Sequence, residues 1–303
     1  MTVTAIVLLA LGVVLAEPVS RTLAAARWPS RDPVGGLLLW QAVGLAGGLA
    51  LLGAGATYGL SPLGATLPLA LGVLLGQPST VLTLPVVNVV ALGLTALVAA
   101  RLLGVLGLAV IRTLMARRKH RELLDILATP WPAMVGARVL AHPRPMAYCL
   151  PGHRSRLVLS EGILATLTPT ELAAVLAHER THLRERHDLV VLPFVAWGAT
   201  APWVPGMVRA QAAVAALIEM RADDVAASRA GRDALAAALR RLDGVMDSRG
   251  GADHTVGSFS SALTYRLGRV IRDDNPPGRL RRIAARLAAV ALIAVPTLVL
   301  LHP

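Results

Sequence analysis

Apolar residues arrive along this chain in long uncharged runs, with the polar residues gathered between them. Residues 3–16 carry no charge, and none of the first twenty residues is Lys or Arg. They read as a first membrane-spanning helix rather than a signal peptide, which would open on a basic stretch. Residues 35–57, rich in Leu, Ala and Gly, form a second span. A third runs from about Leu84 to Ala100 and continues past Arg101 to Ile111. The last, Leu287 to Leu301, reaches spanning length if its helix starts near Arg282. Residues 58–83 are also uncharged, but Pro62, Pro68 and Pro78 interrupt them. That predicts a loop at the membrane surface or a partial insertion.

The pattern changes between residues 116 and 280. Met146–Leu150 and Arg156–Ser160 flank Pro151-Gly152-His153 and read as a pair of strands. Thr168-Pro169-Thr170-Glu171 then reads as a helix start. Thr168 is the N-cap, Pro169 takes the first helical position and Glu171 closes a capping box. Leu172, Val175 and Leu176 follow at helical spacing. Residues 189–218 are apolar except for Arg209 and Gln211, and Pro193, Pro202 and Pro205 break them. With Trp197 and Trp203 they form either a helical hairpin on or in the bilayer or a buried helical pair. The expected architecture is a mostly α membrane protein with about four transmembrane helices. Three lie in residues 1–115, one lies in 281–303, and an α+β domain at 116–280 is inserted before the last span.

Composition supports the membrane reading and then orients it. The 303 residues are 55% hydrophobic and only 3% aromatic, with a mean hydropathy of +0.61. A soluble domain of this length does not need so much apolar surface. The net charge of +12 sits beside the spans. Arg21, Arg27 and Arg31 follow the first span, and Arg112, Arg117, Arg118, Lys119 and Arg121 follow the third. Arg279, Arg281, Arg282 and Arg286 precede the last, while the link after the second span has no basic residue. The positive-inside rule then places the N-terminus outside, residues 116–280 in the cytoplasm and the C-terminus outside. Neither aromatic interleaving nor a nucleic-acid motif accompanies the charge, so direct nucleic-acid binding is not expected. Cys149 is the sole cysteine, which excludes a disulfide framework and a cysteine metal site; it reads as a small buried hydrophobe.

The chemistry lies in Ala177-His178-Glu179-Arg180-Thr181-His182, on the capped helix. Residues four apart share a helix face, so His178 and His182 can hold one metal ion. Glu179 stands beside the first ligand, where a carboxylate can act as general base for peptide hydrolysis. A third ligand is needed, and Glu219 in Ile218-Glu219-Met220-Arg221-Ala222-Asp223 supplies it on a second helix, leaving a fourth position for water. Asp223, one turn on, can hydrogen-bond a ligating imidazole. His254 and Tyr265 are candidate donors to the transition state. His120, His142, His153 and His302 are expected to be ordinary surface or interface residues.

In layout and in these residues the chain resembles the BlaR/MecR-type membrane metallopeptidases. The resemblance rests on three N-terminal spans, Ala-His-Glu-x-x-His, the Trp/Pro-containing apolar stretch, Glu-x-x-x-Asp and a further span. It implies a gluzincin-type zinc endopeptidase with one Zn²⁺ per chain, embedded in the bacterial plasma membrane with its catalytic domain on the cytoplasmic side. The implied partners are the lipid bilayer and a protein substrate such as a DNA-binding repressor cleaved in regulatory signalling. The chain departs from that pattern in ending at Pro303, directly after the last span, without a penicillin-binding domain. It also has no Ser-x-x-Lys, since Ala116 stands three residues before Lys119, the sole lysine. His187-Asp188 is a smaller departure, because relatives commonly carry Asp one position earlier. Two alternatives stand beside this reading: a membrane quality-control protease of the HtpX/Ste24 kind, and a non-catalytic membrane sensor that keeps the metal fold.

Overall fold

The computed structural model describes residues 1–151, 155–247, 264–272 and 278–301. The described residues are mostly helical with one small sheet, and the contacts divide the chain into two units. The first comprises Met1–Val110, Val191–Ala215 and Pro277–Pro303; the second comprises Ile111–Val190 and Ala216–Pro276.

Among the described residues, four helical stretches are long and apolar enough to cross a membrane: Thr2–Ala25, Pro33–Gly59, Val86–Leu127 and Arg279–Leu301. The first consists of α1 (Thr2–Val14), a π-helical turn at Leu15–Val19 that accommodates Pro18, and α2 (Ser20–Ala25). It is longer than the uncharged run because Glu17 has a partner within the same unit. Arg209 Nη1 donates to Glu17 Oε1 at 2.7 Å, and the Gly206 amide donates to Oε2 at 2.9 Å. Next come α3 (Pro33–Gly59), α4 (Leu67–Gly76) and α5 (Val86–Leu127). Asp32 caps α3 by accepting from the Gly35 amide, with Pro33 in the first turn. In the proline-broken stretch, α4 is a short apolar helix too short to span. α5 does not stop at the end of its apolar run; it continues for 42 residues in all, into the charged sequence. The apolar stretch 189–218 becomes α8 (His187–Thr200) and α9 (Pro205–Ala230). Its Val191–Ala215 portion belongs to the first unit, where Arg101 donates to the carbonyls of Ala199 and Thr200. The last span is α12 (Arg279–Leu301).

The second unit is built on a four-stranded sheet in the order β1-β2-β4-β3, from Ala128–Pro130, Ala137–Leu140, Arg156–Ser160 and Ala147–Leu150. β3 and β4 form the expected strand pair, and its sense is antiparallel, with Tyr148 opposite Val158. β1 and β2 are too short to show a period-2 signal and were not anticipated. Their presence changes the role of β4. It pairs with β2 on its other side, in parallel, so β4 is a central strand and β3 is the edge.

β4 runs into α6 (Glu161–Thr166), capped by Ser160, and then α7 (Pro169–Arg184), which carries the histidine motif. The capping box is present in both directions. Thr168 Oγ1 accepts from the Glu171 amide at 3.4 Å, and Glu171 Oε2 accepts from the Thr168 amide at 2.8 Å. Leu172 and Leu176 bury the opposite face of α7 in a cluster with Leu157, Leu159 and Ile163. A second cluster joins Ala174 and Ala177 of α7 to Ala226 of α9, to Leu235 and Leu239 of α10 (Arg232–Asp247), and to Val270 of α11 (residues 264–272). Small alanines on α7 let these helices approach closely, which brings α9 and α11 to the motif. α9 ends at Gly231, whose φ of +93° is a left-handed conformation that costs glycine nothing.

Candidate metal centre

Two helices and one short helix supply the site. His178 and His182 lie on one face of α7, one turn apart, with Nε2 atoms 3.1 Å from each other. Glu219 on α9 brings Oε2 to 3.4 Å from His178 Nε2 and Oε1 to 3.5 Å from His182 Nε2. Asp223, one turn further along α9 and 1% exposed, accepts from His178 Nδ1 at 2.9 Å. Because an ionised carboxylate cannot donate, His178 carries its hydrogen on Nδ1 and turns Nε2 to the other donors.

The donor set suits zinc. Ligands 2.0–2.2 Å from a tetrahedral ion stand roughly 3.4 Å apart, and the three separations here are 3.1, 3.4 and 3.5 Å. Two imidazoles and one carboxylate are borderline to hard donors, and three protein ligands leave a position open. The site is closed on the side of His178, whose side chain is 9% exposed, and open on the side of Glu219, at 39%. Solvent or a substrate has its access there.

The electrostatics are those of a cation site. Burial disfavours a charge on His178, but hydrogen bonds to Asp223 and Glu219 outweigh it and raise its pKa to about 9. Burial also lowers His182 to about 4, helped by the neighbouring charge on His178. Against the opposing effect of burial, His178 and Arg266 hold Glu219 down to about 2. Arg266 and His178 hold Asp223 at about 2 in the same way. Glu179 moves the other way: burial and the nearby Glu219 charge raise it to about 7, although the Cys149 amide donates to it. A carboxylate poised near neutrality beside the ligands is what a general base requires.

Arg266, on α11, is a site residue that sequence reasoning missed. Its guanidinium straddles Asp223, with Nε to Oδ2 at 2.8 Å and Nη2 to Oδ1 at 2.7 Å, and reaches Glu219 Oε2 with Nη1 at 3.0 Å. It therefore fixes both carboxylates of α9 and neutralises part of their charge. Nothing in its local sequence marks it, because its partners lie more than forty positions away and no spacing rule connects them. Tyr265, its neighbour, is 48% exposed and takes no part in these contacts. His254 lies outside the described residues, as do His153 and His302. His120 hydrogen-bonds the Tyr148 hydroxyl at 2.7 Å, and His142 Nδ1 accepts from the Arg144 amide. Asp188 pairs with Arg117 at 2.9 Å and does not touch a ligand. Cys149 is half-buried on the edge strand, not fully buried, and burial and the nearby Glu179 charge push its thiol up to about 12.

A helix-borne pair of imidazoles, a glutamate from a second helix and a raised carboxylate between them define a metallopeptidase-type site. Residues 112–242 match the model of Peptidase family M48, a stretch that includes α7, Glu219 and Asp223. The match and the His178–His182–Glu219 group together support a zinc metallopeptidase domain in a chain that carries several membrane-length apolar helices. No curated protein and no solved structure matches the chain.

Proposed function

We propose that the chain is a membrane-anchored zinc endopeptidase that cleaves an extended segment of a protein substrate on the cytoplasmic side of the plasma membrane. The observation that carries this reading is the placement of Glu179 between the ligand set and the sheet edge. Its carboxylate lies next to His178 and accepts from the outward-facing Cys149 amide of β3. Met146 accepts from the Ser160 amide, so β3 turns alternate amides toward β4 and leaves those of Ala147 and Cys149 at the free edge. An extended peptide adding to that edge would run past Glu179 and the ligands, with its backbone held by strand pairing. β4, central in the sheet and paired on both sides, offers no such edge.

His178, His182 and Glu219 would hold the zinc, which supplies a Lewis acid and an acidified water at the open position. Glu179, beside the ligand set, is the group that would take a proton from the attacking water and return it to the leaving amine, the two halves of general acid–base catalysis. Asp223 keeps His178 in the ligating tautomer, and Arg266 keeps Asp223 and Glu219 ionised and in place. The basic residues that follow the third apolar run support the cytoplasmic side for this domain. Regulatory use, with a transcriptional repressor or similar protein as substrate, is the narrow form of the proposal.

The test is to express the full chain and its Glu179→Gln variant in cells and compare the membrane and soluble proteomes for new N-termini. A small set of cleavages present only with the active chain supports regulatory proteolysis. Broad fragmentation of membrane proteins assigns the chain to quality control instead. No cleavage dependent on Glu179 refutes an enzymatic role and leaves the non-catalytic sensor.

A further inference from the structure

We propose that His187 is a positioning residue that sets the tautomer of His182 and so aims its Nε2 at the metal site. The inference rests on the metal-centre reading above. His187 is 4% exposed, and its Nδ1 lies 3.0 Å from His182 Nδ1, with the two rings nearly perpendicular at 83°. Two imidazole nitrogens at this distance share one hydrogen, and the surroundings decide which of them owns it.

The decision comes from Glu185. Its carboxylate is clamped by Arg221, with Nε to Oε1 and Oε2 at 3.0 Å each and Nη2 to Oε1 at 2.7 Å. An ionised carboxylate has no hydrogen to give. His187 Nε2 is buried, makes no well-aligned hydrogen bond, and faces Glu185 Oε2 at 3.4 Å, so that nitrogen carries the hydrogen. A neutral imidazole has only one, which leaves His187 Nδ1 as an acceptor. It must accept from His182 Nδ1–H. The Nε2 of His182, 3.1 Å from His178 Nε2, is then a lone pair directed at the other donors. With Asp223 acting on His178 in the same sense, both imidazoles are presented by the same atom.

The backbone shows how the chain builds this arrangement. Had α7 continued, the residue at i+4 from His182 would have been Arg186. Instead α7 ends at Arg184 with Glu185 as its C-cap, and Arg186 adopts a φ of 51°. That left-handed conformation is unfavourable for a residue with a side chain. The turn carries the chain one residue further, so that His187, the first residue of α8, lies against His182 instead. Strain at a non-glycine residue beside a site is a reason to look for function there. Arg221 stands two residues beyond Glu219 on α9, so the contacts close a ring from one ligand helix to the other.

The test uses the full-length chain in detergent, with zinc affinity measured by chelator competition and visible absorption recorded after loading with Co²⁺. His187→Leu keeps the bulk and removes the acceptor; His187→Asn puts an amide oxygen near the place of Nδ1. The leucine variant is expected to bind zinc roughly 10–100-fold more weakly and to shift the cobalt bands, while the asparagine variant stays within about threefold of wild type. Glu185→Ala, at an exposed position, removes the group that sets the direction without disturbing the core, and is expected to weaken zinc several-fold. Wild-type affinity in the leucine variant, or an asparagine variant as weak as leucine, overturns the positioning role. If the leucine variant fails to fold, an unchanged affinity in Glu185→Ala overturns it. Absence of zinc binding by wild type refutes the metal-centre reading, and the positioning role with it.

Discussion

Replacing Arg266 by Met removes a group that the sequence did not flag and that holds both carboxylates of α9. Asp223 is 1% exposed and receives two hydrogen bonds from this guanidinium, at 2.7 and 2.8 Å; Glu219 receives a third contact at 3.0 Å. Methionine fills much of the space but leaves Asp223 with His178 as its remaining partner in this group. Removing one member of a buried ion pair costs about 3–5 kcal/mol, because the other charge stays buried without compensation. At about 2–4 °C per kcal/mol for a domain of 150–250 residues, the metal-free variant should melt roughly 6–20 °C below wild type. Zinc changes the comparison, since a divalent ion beside Glu219 restores the missing positive charge. The rise in melting temperature on adding zinc should therefore be larger in Arg266→Met than in wild type. The assay is thermal unfolding of the detergent-purified chain, followed by circular dichroism, with excess chelator and then with zinc. A metal-free variant that melts with wild type, or equal zinc-induced shifts in the two proteins, would refute this account of Arg266.

Two further predictions follow from the charges around α7. Zinc must displace the hydrogen that His178 holds below about pH 9 in the metal-free site, so apparent zinc affinity should rise by up to about tenfold per pH unit between pH 7 and 9 and then level off; a flat profile by chelator competition would contradict it. The same raised pKa means that protonated His178 stabilises the metal-free fold, fully below its ordinary value of 6.5 and progressively less as pH climbs through 9. Chelator-treated protein should therefore melt lower at pH 9.5 than at pH 6, and zinc-loaded protein should show a smaller difference. Thr168→Ala removes one half of the capping box at the start of the motif helix and should cost about 1 kcal/mol, read as a drop in melting temperature of a few degrees.

Much of this architecture was legible because it is local. A capping box occupies four residues, an i, i+4 histidine pair needs one turn of helix, and a membrane-length run needs only composition. The ends of the spans were less legible. α5 does not end where lipid-compatible sequence ends, since helix formation continues through the charged residues up to Leu127. Strands β1 and β2 have three and four residues, too few to show alternation, so the central place of β4 could not be read from the pattern. Arg266 and His187 were hidden for different physical reasons. Arg266 meets Asp223 and Glu219 only through the packing of α11 on α7 and α9. His187 meets His182 only because Arg186 takes a left-handed turn that a residue with a side chain seldom adopts.

The central claim is that His178, His182 and Glu219 form one zinc site. The most direct measurement is the metal content of the detergent-purified chain beside His182→Ala and Glu219→Ala, by inductively coupled plasma mass spectrometry. About one zinc per wild-type chain, lost in both variants, is the result expected from three converging ligands. Wild type without zinc, or zinc unaffected by the change at Glu219, would contradict the site as built here.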